Sequence, residues 1–470
     1  MEKIKFGTDG WRGVISEDFT FENVKIVSQA MADYLKEKGI AEKEIVIGYD
    51  ARFLSKEYAQ LVASVLAGNG IRVILSDRIQ PVPSVCFTIK ERKAAGGIMI
   101  TASHNPFKYN GIKFKGEYAG SADEATTKKI EGFLYKNKPQ EMDFEEGEKK
   151  ELIQKIDLTP SYLEFLKSFV NLEAVKERPL KVVIDSMHGA GKDYTAQALK
   201  GGKCQVITIR AEENPSFGGV HPEPILENLK ALIDKIKEEK ADLGLATDGD
   251  GDRLGVMDSE GNFVNPHQVL SLLTLHLIES RGWSGGIVKT VSTTSLLNKI
   301  AEKYKRKLYK TPVGFKYICE LMLKEDILIG GEESGGIGVK NHVPDRDGLL
   351  SGLLLLEMLA LKKKPLSQIQ EEMRQEFGTY LYKRIDTEYP LDKRDILIPT
   401  LRKSPPKKLG DIRVKEIDAS DGIKFILSDN SWLLIRTSGT EPIIRIYAES
   451  DEKGKLNKIM EAGKELAFSI

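Results

Sequence analysis

The sequence predicts an α/β protein: three related domains with mixed, mainly parallel sheets, followed by a smaller C-terminal α+β domain. Three observations lead there. At 470 residues the chain is too long for one hydrophobic core and falls in the range of three or four domains. Short β-branched runs alternate with amphipathic stretches over most of the length, the pattern of strand–helix–strand units. From residue 414 the alternation changes to period two between turn residues, the mark of antiparallel strands.

The elements follow in order. "EIVIGYD" (44–50), "IRVILSD" (71–77) and "GGIMITA" (96–102) read as buried strands, and "FENVKIVSQAMADYLKEKG" has helical spacing. Ser121 with Glu124 forms a capping box that opens another helix, and the charged passage 137–156 reads as a connection. The first domain is therefore 1–157. The second, 158–262, opens on "TPSYLEFLKSFV". There Thr159 is the N-cap and Pro160 the first helical residue, with Tyr162, Phe165, Leu166 and Phe169 on one face. Strands "KVVIDS" (181–186) and "DLGLAT" (242–247) flank a helical "ILENLKALIDKIKEEK". A third cycle, 263–372, carries strands "GGIVKTV" (285–291) and "DILIGG" (326–331). The last domain, 373–470, pairs an antiparallel sheet with a closing helix at about 452–468.

Composition removes several function classes. Lys+Arg and Asp+Glu both number 70, so no overall field draws the chain to nucleic acid or an anionic membrane, and attraction to anions must be local. The start "MEKIKFGTDGWRG" lacks the layout of a signal peptide. The longest apolar stretch, "LLSGLLLLEMLAL" (349–361), contains Glu357 and is too short to span a bilayer, so it reads as a buried helix. Cys86, Cys204 and Cys319 are odd in number and scattered, as in reduced thiols, and no Cys/His pair has zinc spacing. The expectation is a soluble cytoplasmic enzyme with neither nucleic-acid nor membrane partners. The oligomeric state is left open.

Polar clusters stand where strands end. "TASHNP" (101–106) follows "GGIMI", "DGDGDR" (248–253) follows "DLGLAT", and "GEESGG" (331–336) follows "DILIG". The carboxyl ends of strands are where open α/β sheets bind ligands. "RTSGTEP" (436–442) lies between two strands of the tail. Four such loops from four domains are expected to face one cleft.

Asp248, Asp250 and Asp252 alternate with glycines, so their oxygens can converge, and hard oxygen donors suit Mg²⁺ or Ca²⁺ rather than zinc. A calcium-binding EF-hand fails at Arg253 and Ser259, where it needs Gly and Glu. A solvated acidic turn is the plainer alternative. Ser103 is a candidate nucleophile outside any G-x-S-x-G elbow. If it carries phosphate, it needs cations to hold the dianion: a metal, a protonated His104, or a nearby Lys or Arg, and Lys108, Lys113 and Lys115 crowd the following stretch. In "RTSGTEP", Arg436 can take two phosphate oxygens, Ser438 and Thr440 supply hydroxyls, and Gly439 lets backbone N–H groups approach; a plain hairpin turn is the alternative. Glu332 and Ser334 can hydrogen-bond vicinal sugar hydroxyls, with a Gly-rich solvated turn as the rival.

Taken together and in this order, from "FGTDGWRG" through "TASHNP", "DGDGDR" and "GEESGG" to "RTSGTEP", the loops resemble the α-D-phosphohexomutase superfamily, the phosphoglucomutase/phosphomannomutase group. The resemblance covers essentially the whole chain. It implies a heart-shaped, four-domain arrangement with a central site, and an isomerase acting by phosphoryl transfer on a small sugar phosphate. It implies that Ser103 is the phosphoserine and that, with Asp248, Asp250 and Asp252, it ligates Mg²⁺. Arg12 and Arg253 would lie near the transferring phosphoryl group, and Lys113 falls where the family places a lysine proposed for proton transfer. Glu332 and Ser334 would grip the sugar. Arg436, Ser438, Gly439 and Thr440 would hold the non-reacting phosphate. "TPVGFK" (311–316), with Thr311, Gly314 and Lys316, matches a loop that senses substrate orientation. A hexose 1,6-bisphosphate would be intermediate and activator.

The "GEES" start and "TPVGFK" look more like phosphoglucomutases than phosphoglucosamine mutases. Glucose is thus favoured, mannose is possible, and glucosamine or pentose phosphates are alternatives. One departure stands out. Many bacterial members end the sugar loop in S-G-H, whereas this chain has Gly336; where phosphoglucomutases place a lysine before Asp-Gly, "PDRDG" has Arg346, a poor proton shuttle. That leaves the second acid/base group open, with His342 as a candidate. Rival readings are an aspartyl-phosphate phosphatase with Asp248 as nucleophile, and a non-catalytic sugar- or Ca²⁺-binding protein.

Overall fold

Strands buried at every position, such as Ile45–Tyr49 and Gly96–Ile100, need cover on both faces, and amphipathic helices supply it. The computed structural model describes residues 4–7, 10–437 and 443–470. Its first sheet contains β1 (Gly10–Val14), β2 (Ile45–Tyr49), β3 (Val73–Ser76), β4 (Gly96–Ile100), β5 (Tyr109–Gly116) and β6 (Ile153–Ile156), in the order β1-β5-β4-β2-β3-β6. The pairs β2–β3, β2–β4 and β3–β6 are parallel, and β5 runs antiparallel to both β1 and β4. Helix Phe21–Glu37 covers it, opened by Thr20, whose hydroxyl accepts the Asn23 N–H.

Three local expectations need correcting. The 137–156 passage is more than a connection, because it contains helix Phe144–Lys149 and the edge strand β6. The cap of helix Glu124–Phe133 is Asp123, whose side chain accepts the Thr126 N–H at 2.7 Å; Ser121 instead points inward to Lys115 and Asp345. Helix Thr159–Phe169 begins one residue early, with Leu158 as cap, because Asp157 accepts the Thr159 N–H.

The second sheet has β7 (Lys181–Asp185), β8 (Gln205–Ile209), β9 (Leu243–Thr247), β10 (Leu254–Asp258) and β11 (Phe263–Val264), ordered β11-β10-β9-β7-β8. The third has β12 (Gly286–Thr290), β13 (Leu308–Thr311), β14 (Ile327–Gly331) and β15 (Ile337–Val339), ordered β13-β12-β14-β15. Parallel pairs form the middle of both, with antiparallel strands on one flank. These two layers share one hydrophobic core. The leucine-rich segment forms helix Gly348–Lys362, buried from Gly348 to Ala360 against helices Leu172–Glu177 and Pro266–Glu279 and the second sheet. Its one buried charge, Glu357, accepts from His276, Arg281 and the Asn171 backbone, so the carboxylate is paired. The boundary expected at 262/263 falls inside the β10–β11 hairpin, and that at 372/373 inside helix Leu366–Phe377.

The last sheet is antiparallel throughout: β16 (Leu381–Glu388), β17 (Lys408–Leu409), β18 (Ile412–Asp418), β19 (Ile423–Leu427), β20 (Trp432–Thr437) and β21 (Ile443–Ser450), ordered β16-β21-β20-β19-β18-β17. Helix Lys453–Phe468 packs across it. A small cluster of Val291, Trp432, Leu434 and Tyr447 joins this domain to the third. There Lys424 Nζ lies 3.6 Å from the centroid of the Trp432 ring and donates to the Val291 carbonyl. Among the described residues no helix is long and apolar enough to cross a membrane, and all three cysteines are free and buried.

Candidate active site

The serine loop leaves the end of β4 through a strained turn. Ser103 has φ +53°, a left-handed conformation that a residue with a Cβ adopts only when its surroundings enforce it. Here they do. The Ser103 N–H donates to Thr101 Oγ1, and Thr101 Oγ1 donates to Asp50 Oδ2 at 2.6 Å. Arg52, fully buried, donates to the backbone carbonyls of Ser103, Asn105, Pro106 and Tyr109 and to Asp50. One guanidinium thus braces the whole turn with its fork of donors. Arg12 reaches the same loop from β1, donating to Asn105 Oδ1 at 2.7 Å.

The aspartate loop leaves β9 and meets the serine loop face to face. Ser103 Oγ donates to Asp248 Oδ2 at 2.9 Å. A Cβ on Gly249 would lie 2.4 Å from the Ser103 carbonyl oxygen, so this approach demands glycine. Gly251 turns the loop at φ +75°. Asp248 Oδ1 accepts the N–H groups of Asp252 and Arg253, both at 3.0 Å. Asp248, Asp250 and Asp252 are fully buried, and one oxygen of each lies within 4.8 Å of the others. Asp250 Oδ1 and Asp252 Oδ1 have no hydrogen-bond partner. Buried acceptors without partners are costly unless something electropositive meets them, and three convergent carboxylates fit a hard divalent cation.

Electrostatics separates the three. Burial, beside Asp250 and Asp252, pushes Asp248 well above the usual carboxylate range. Burial also raises Asp252, against the pull of Arg346. For Asp250, burial is outweighed by Lys113, whose Nζ sits 2.8 Å from Asp250 Oδ2, and its carboxyl is held well down. Arg253 is held charged: burial opposes this, but Asp248 and Glu223 outweigh it, with Glu223 Oε1 at 3.3 Å from Nη1. Burial, and then the fields of Arg253, Arg12, Lys113 and Arg52, push the His104 imidazole well below its ordinary value. Its Nδ1 lies 3.5 Å from Ser103 Oγ.

The "GEESGG" loop leaves β14 and is stitched to the aspartate loop, because Leu254 N–H donates to the Gly335 carbonyl and Arg253 bridges to Gly336. Burial pushes Glu332 up to about 7, against Arg346. Glu333 turns the other way: its Oε2 accepts from Ser292 Oγ at 2.6 Å, and it stands in the fields of Arg384 and Arg436 from the fourth domain. Ser334 is half-buried on the same turn. Arg436, at the end of β20, pairs with Asp421 at 2.9 Å, and Asp421 also accepts the Val313 N–H of the "TPVGFK" loop. That loop holds a buried Thr311 and turns at Gly314, φ +130°. Lys316 Nζ lies 3.6 Å from Glu124, on a helix of the first domain. Ser438, Gly439 and Thr440, and Thr8 and Asp9 of "FGTDGWRG", lie outside the described residues.

Serine, aspartate and sugar loops therefore meet in one place, and Arg384 and Arg436 of the fourth domain stand near enough to Glu333 of the sugar loop to act on its charge. His342 does not take part. Its Nε2 is 2.9 Å from Asp347 Oδ2 and its ring stacks on Phe165, which locks it into the junction of domains. Sequence reading missed Asp50 and Arg52. Their signal was present, a polar "YDAR" at the carboxyl end of β2, in the same position as the other loops.

Family models agree along the chain: phosphoglucomutase/phosphomannomutase alpha/beta/alpha domain I matches residues 3–141, domain II 160–261, domain III 265–377, and the C-terminal domain 398–465. A phosphoglucomutase/phosphomannomutase of Thermococcus kodakarensis is 31% identical, covering 98% of each chain. A phosphoglucosamine/phosphogalactosamine mutase of Sulfurisphaera tokodaii is 29% identical, again over 98% of each. A crystal structure of a phosphomannomutase candidate from Thermus thermophilus superposes with a TM-score of 0.86 at 36% identity, over 99% of both chains. With all four of the family's domains matched in order along its length, this chain belongs to the phosphoglucomutase/phosphomannomutase family, isomerases that act by phosphoryl transfer.

Proposed function

We propose that this enzyme interconverts hexose 1-phosphate and hexose 6-phosphate, with glucose the favoured sugar, through a phosphorylated Ser103 and a hexose 1,6-bisphosphate. The observation that carries the reading is the 2.9 Å contact between Ser103 Oγ and Asp248, inside a buried carboxylate triplet with unmatched oxygens. Asp248, Asp250 and Asp252 would hold Mg²⁺ together with an oxygen on Ser103. Bound there, the cation would withdraw charge from the serine phosphate.

The chain's own groups do the remainder. Arg12 and Arg253 flank the serine and stabilise charge on the phosphoryl oxygens as they separate from Oγ. Glu332 and Ser334 orient the sugar hydroxyl toward Ser103. The proton released by the attacking sugar hydroxyl ends on Ser103 Oγ, with His104 Nδ1 beside it to relay it, and Lys113, held between Asp250 and Asp252, balances the triplet's charge. Arg436, with Ser438, Gly439 and Thr440, would hold the phosphate that does not react. Thr311, Gly314 and Lys316 would read which end of the sugar is presented. After the first transfer the bisphosphate reverses in the cleft and returns its other phosphate to Ser103.

The test is a coupled assay with glucose 1-phosphate, mannose 1-phosphate and glucosamine 1-phosphate, with and without Mg²⁺ and a trace of bisphosphate. Glucose 1-phosphate should turn over fastest. Preference for glucosamine 1-phosphate would transfer the assignment to the amino-sugar branch. Ser103→Ala should lower turnover by at least about 10⁴-fold while sugar-phosphate binding persists; unchanged turnover would refute the serine mechanism.

A further inference from the structure

The position before "DG" is held by Arg346, and the structure shows an unusual constraint on it. Both neighbours are anchored, in different directions. Asp345 takes Lys115 Nζ at 2.5 Å and accepts from Ser121, inside the first domain. Asp347 accepts from Tyr162 OH at 2.7 Å and caps helix Gly348–Lys362 through the Leu350 N–H. The Arg346 backbone is therefore held on both sides, and its side chain is only 7% exposed. It runs across Gly336 and ends between two loops. Nη2 is 2.7 Å from Asp252 Oδ2, Nη1 is 3.5 Å from Glu332 Oε2, and the guanidinium lies over Phe315 of the "TPVGFK" turn, 5.6 Å from the ring centroid.

Gly336 completes the argument. A Cβ there would lie 2.2 Å from Arg346 Cδ and 2.9 Å from Cγ, and the third nearest atom is Arg346 Nε. The backbone of Gly336 lies outside the left-handed region, so conformation does not require glycine. The space is taken by the arginine stem.

We infer that Arg346 is a positioning residue that ties the carboxylate triplet to the sugar loop, and that Gly336 is glycine to let it through. The inference rests on the reading of Glu332 as a sugar ligand and of the triplet as a cation site. A planar fork can span two carboxylates at a fixed separation, whereas lysine presents one point charge. Arg346 therefore sets where Glu332 stands relative to Asp252, and so where a sugar hydroxyl stands relative to Ser103.

The experiment compares Arg346→Ala, Arg346→Lys, Gly336→Ala and the Gly336→Ala/Arg346→Ala double variant. Three quantities are measured on each dephosphorylated enzyme: the thermal midpoint, glucose 1-phosphate affinity by calorimetry, and Mg²⁺ affinity by titration. Arg346→Ala should weaken glucose 1-phosphate binding about tenfold, and Arg346→Lys should fail to restore it. Gly336→Ala should displace the guanidinium and reproduce both affinities of Arg346→Ala. The double variant should be no worse than Arg346→Ala, because the added methyl then has room. Additive effects of the two substitutions, or full rescue by lysine, would overturn the inference. So would a lowered midpoint with both affinities unchanged, as expected of a merely structural arginine. If the wild-type enzyme itself bound neither Mg²⁺ nor glucose 1-phosphate, the functional reading would fall instead.

Discussion

The serine–aspartate centre and the Arg436 end of the site are built in opposite ways. At the centre, two strand-end loops press together so closely that Gly249 tolerates no side chain, and Arg52 and Asp50 occupy their polar atoms with the loop itself. At the Arg436 end, the fourth domain meets the third through a small apolar cluster and single polar tethers: Asp421 to Val313, Lys424 to Val291, Asp418 to Lys310. The contrast teaches a division of labour. Transfer between Ser103 and a hydroxyl needs reacting atoms held in one geometry. A cradle that must accept either end of a sugar benefits from an attachment that can be remade, and the partly exposed tethers at Asp421 and Asp418 exchange with water at small net cost, whereas buried Lys424 anchors the seam.

The largest effect should come from the triplet. Asp250→Asn, or removal of divalent cations by a chelator, should lower kcat by about 10³-fold or more, and Mg²⁺ should restore the chelated wild type but not the variant. Retained activity in metal-free wild type would dissolve the contrast at its strong end. Next is the brace. Arg52→Met leaves Asp50 buried without its partner, costing about 3–5 kcal/mol of stability. Among molecules that remain folded, kcat should fall about 10²-fold with KM little changed. A rise in KM alone would show that the brace serves binding rather than the nucleophile.

Third, Arg436→Ala should raise KM for the sugar phosphate about 10- to 100-fold, the scale of a lost charge-assisted contact, with a smaller change in kcat. Equal loss in kcat and kcat/KM would mean that the two ends of the site are not separable. Smallest for turnover is Glu357, far from the chemistry. Burial would raise its carboxyl, but hydrogen bonds from His276 and Arg281 draw it down to about 2. The folded value is below the unfolded one, so its contribution is present above about pH 4.5 and is lost as pH falls toward 2. In thermal melts across pH, Glu357→Gln should be less stable than wild type at neutral pH, and the gap should close across that window. A constant gap would assign the loss to packing.

Much of this molecule was legible in order along the chain. The alternation of runs reported three α/β layers and an antiparallel tail, because burial on two faces or one leaves its period in the residues themselves. The spacing of Asp248, Asp250 and Asp252 carried the acidic centre, and the ordered loops carried the family. Local signals misled where a long-range contact outranked them. Ser121 resembles a helix cap but is drawn inward by Asp345, more than two hundred residues away. The edge strand β6 lacks a clear period because it is only four residues long, with Ile153 buried and the next two residues exposed.

By itself, then, the chain's order of residues determined which loops end which strands and what chemistry those loops can carry, since strand period, glycine placement and carboxylate spacing are local properties. Tertiary structure alone decided which groups meet. It placed Arg52 behind the serine turn, removed His342 to a domain junction, and ran Arg346 over Gly336 to reach two loops at once. The reason is physical: a long cationic side chain goes where buried carboxylates and carbonyls need it, and that address is set by distance in space.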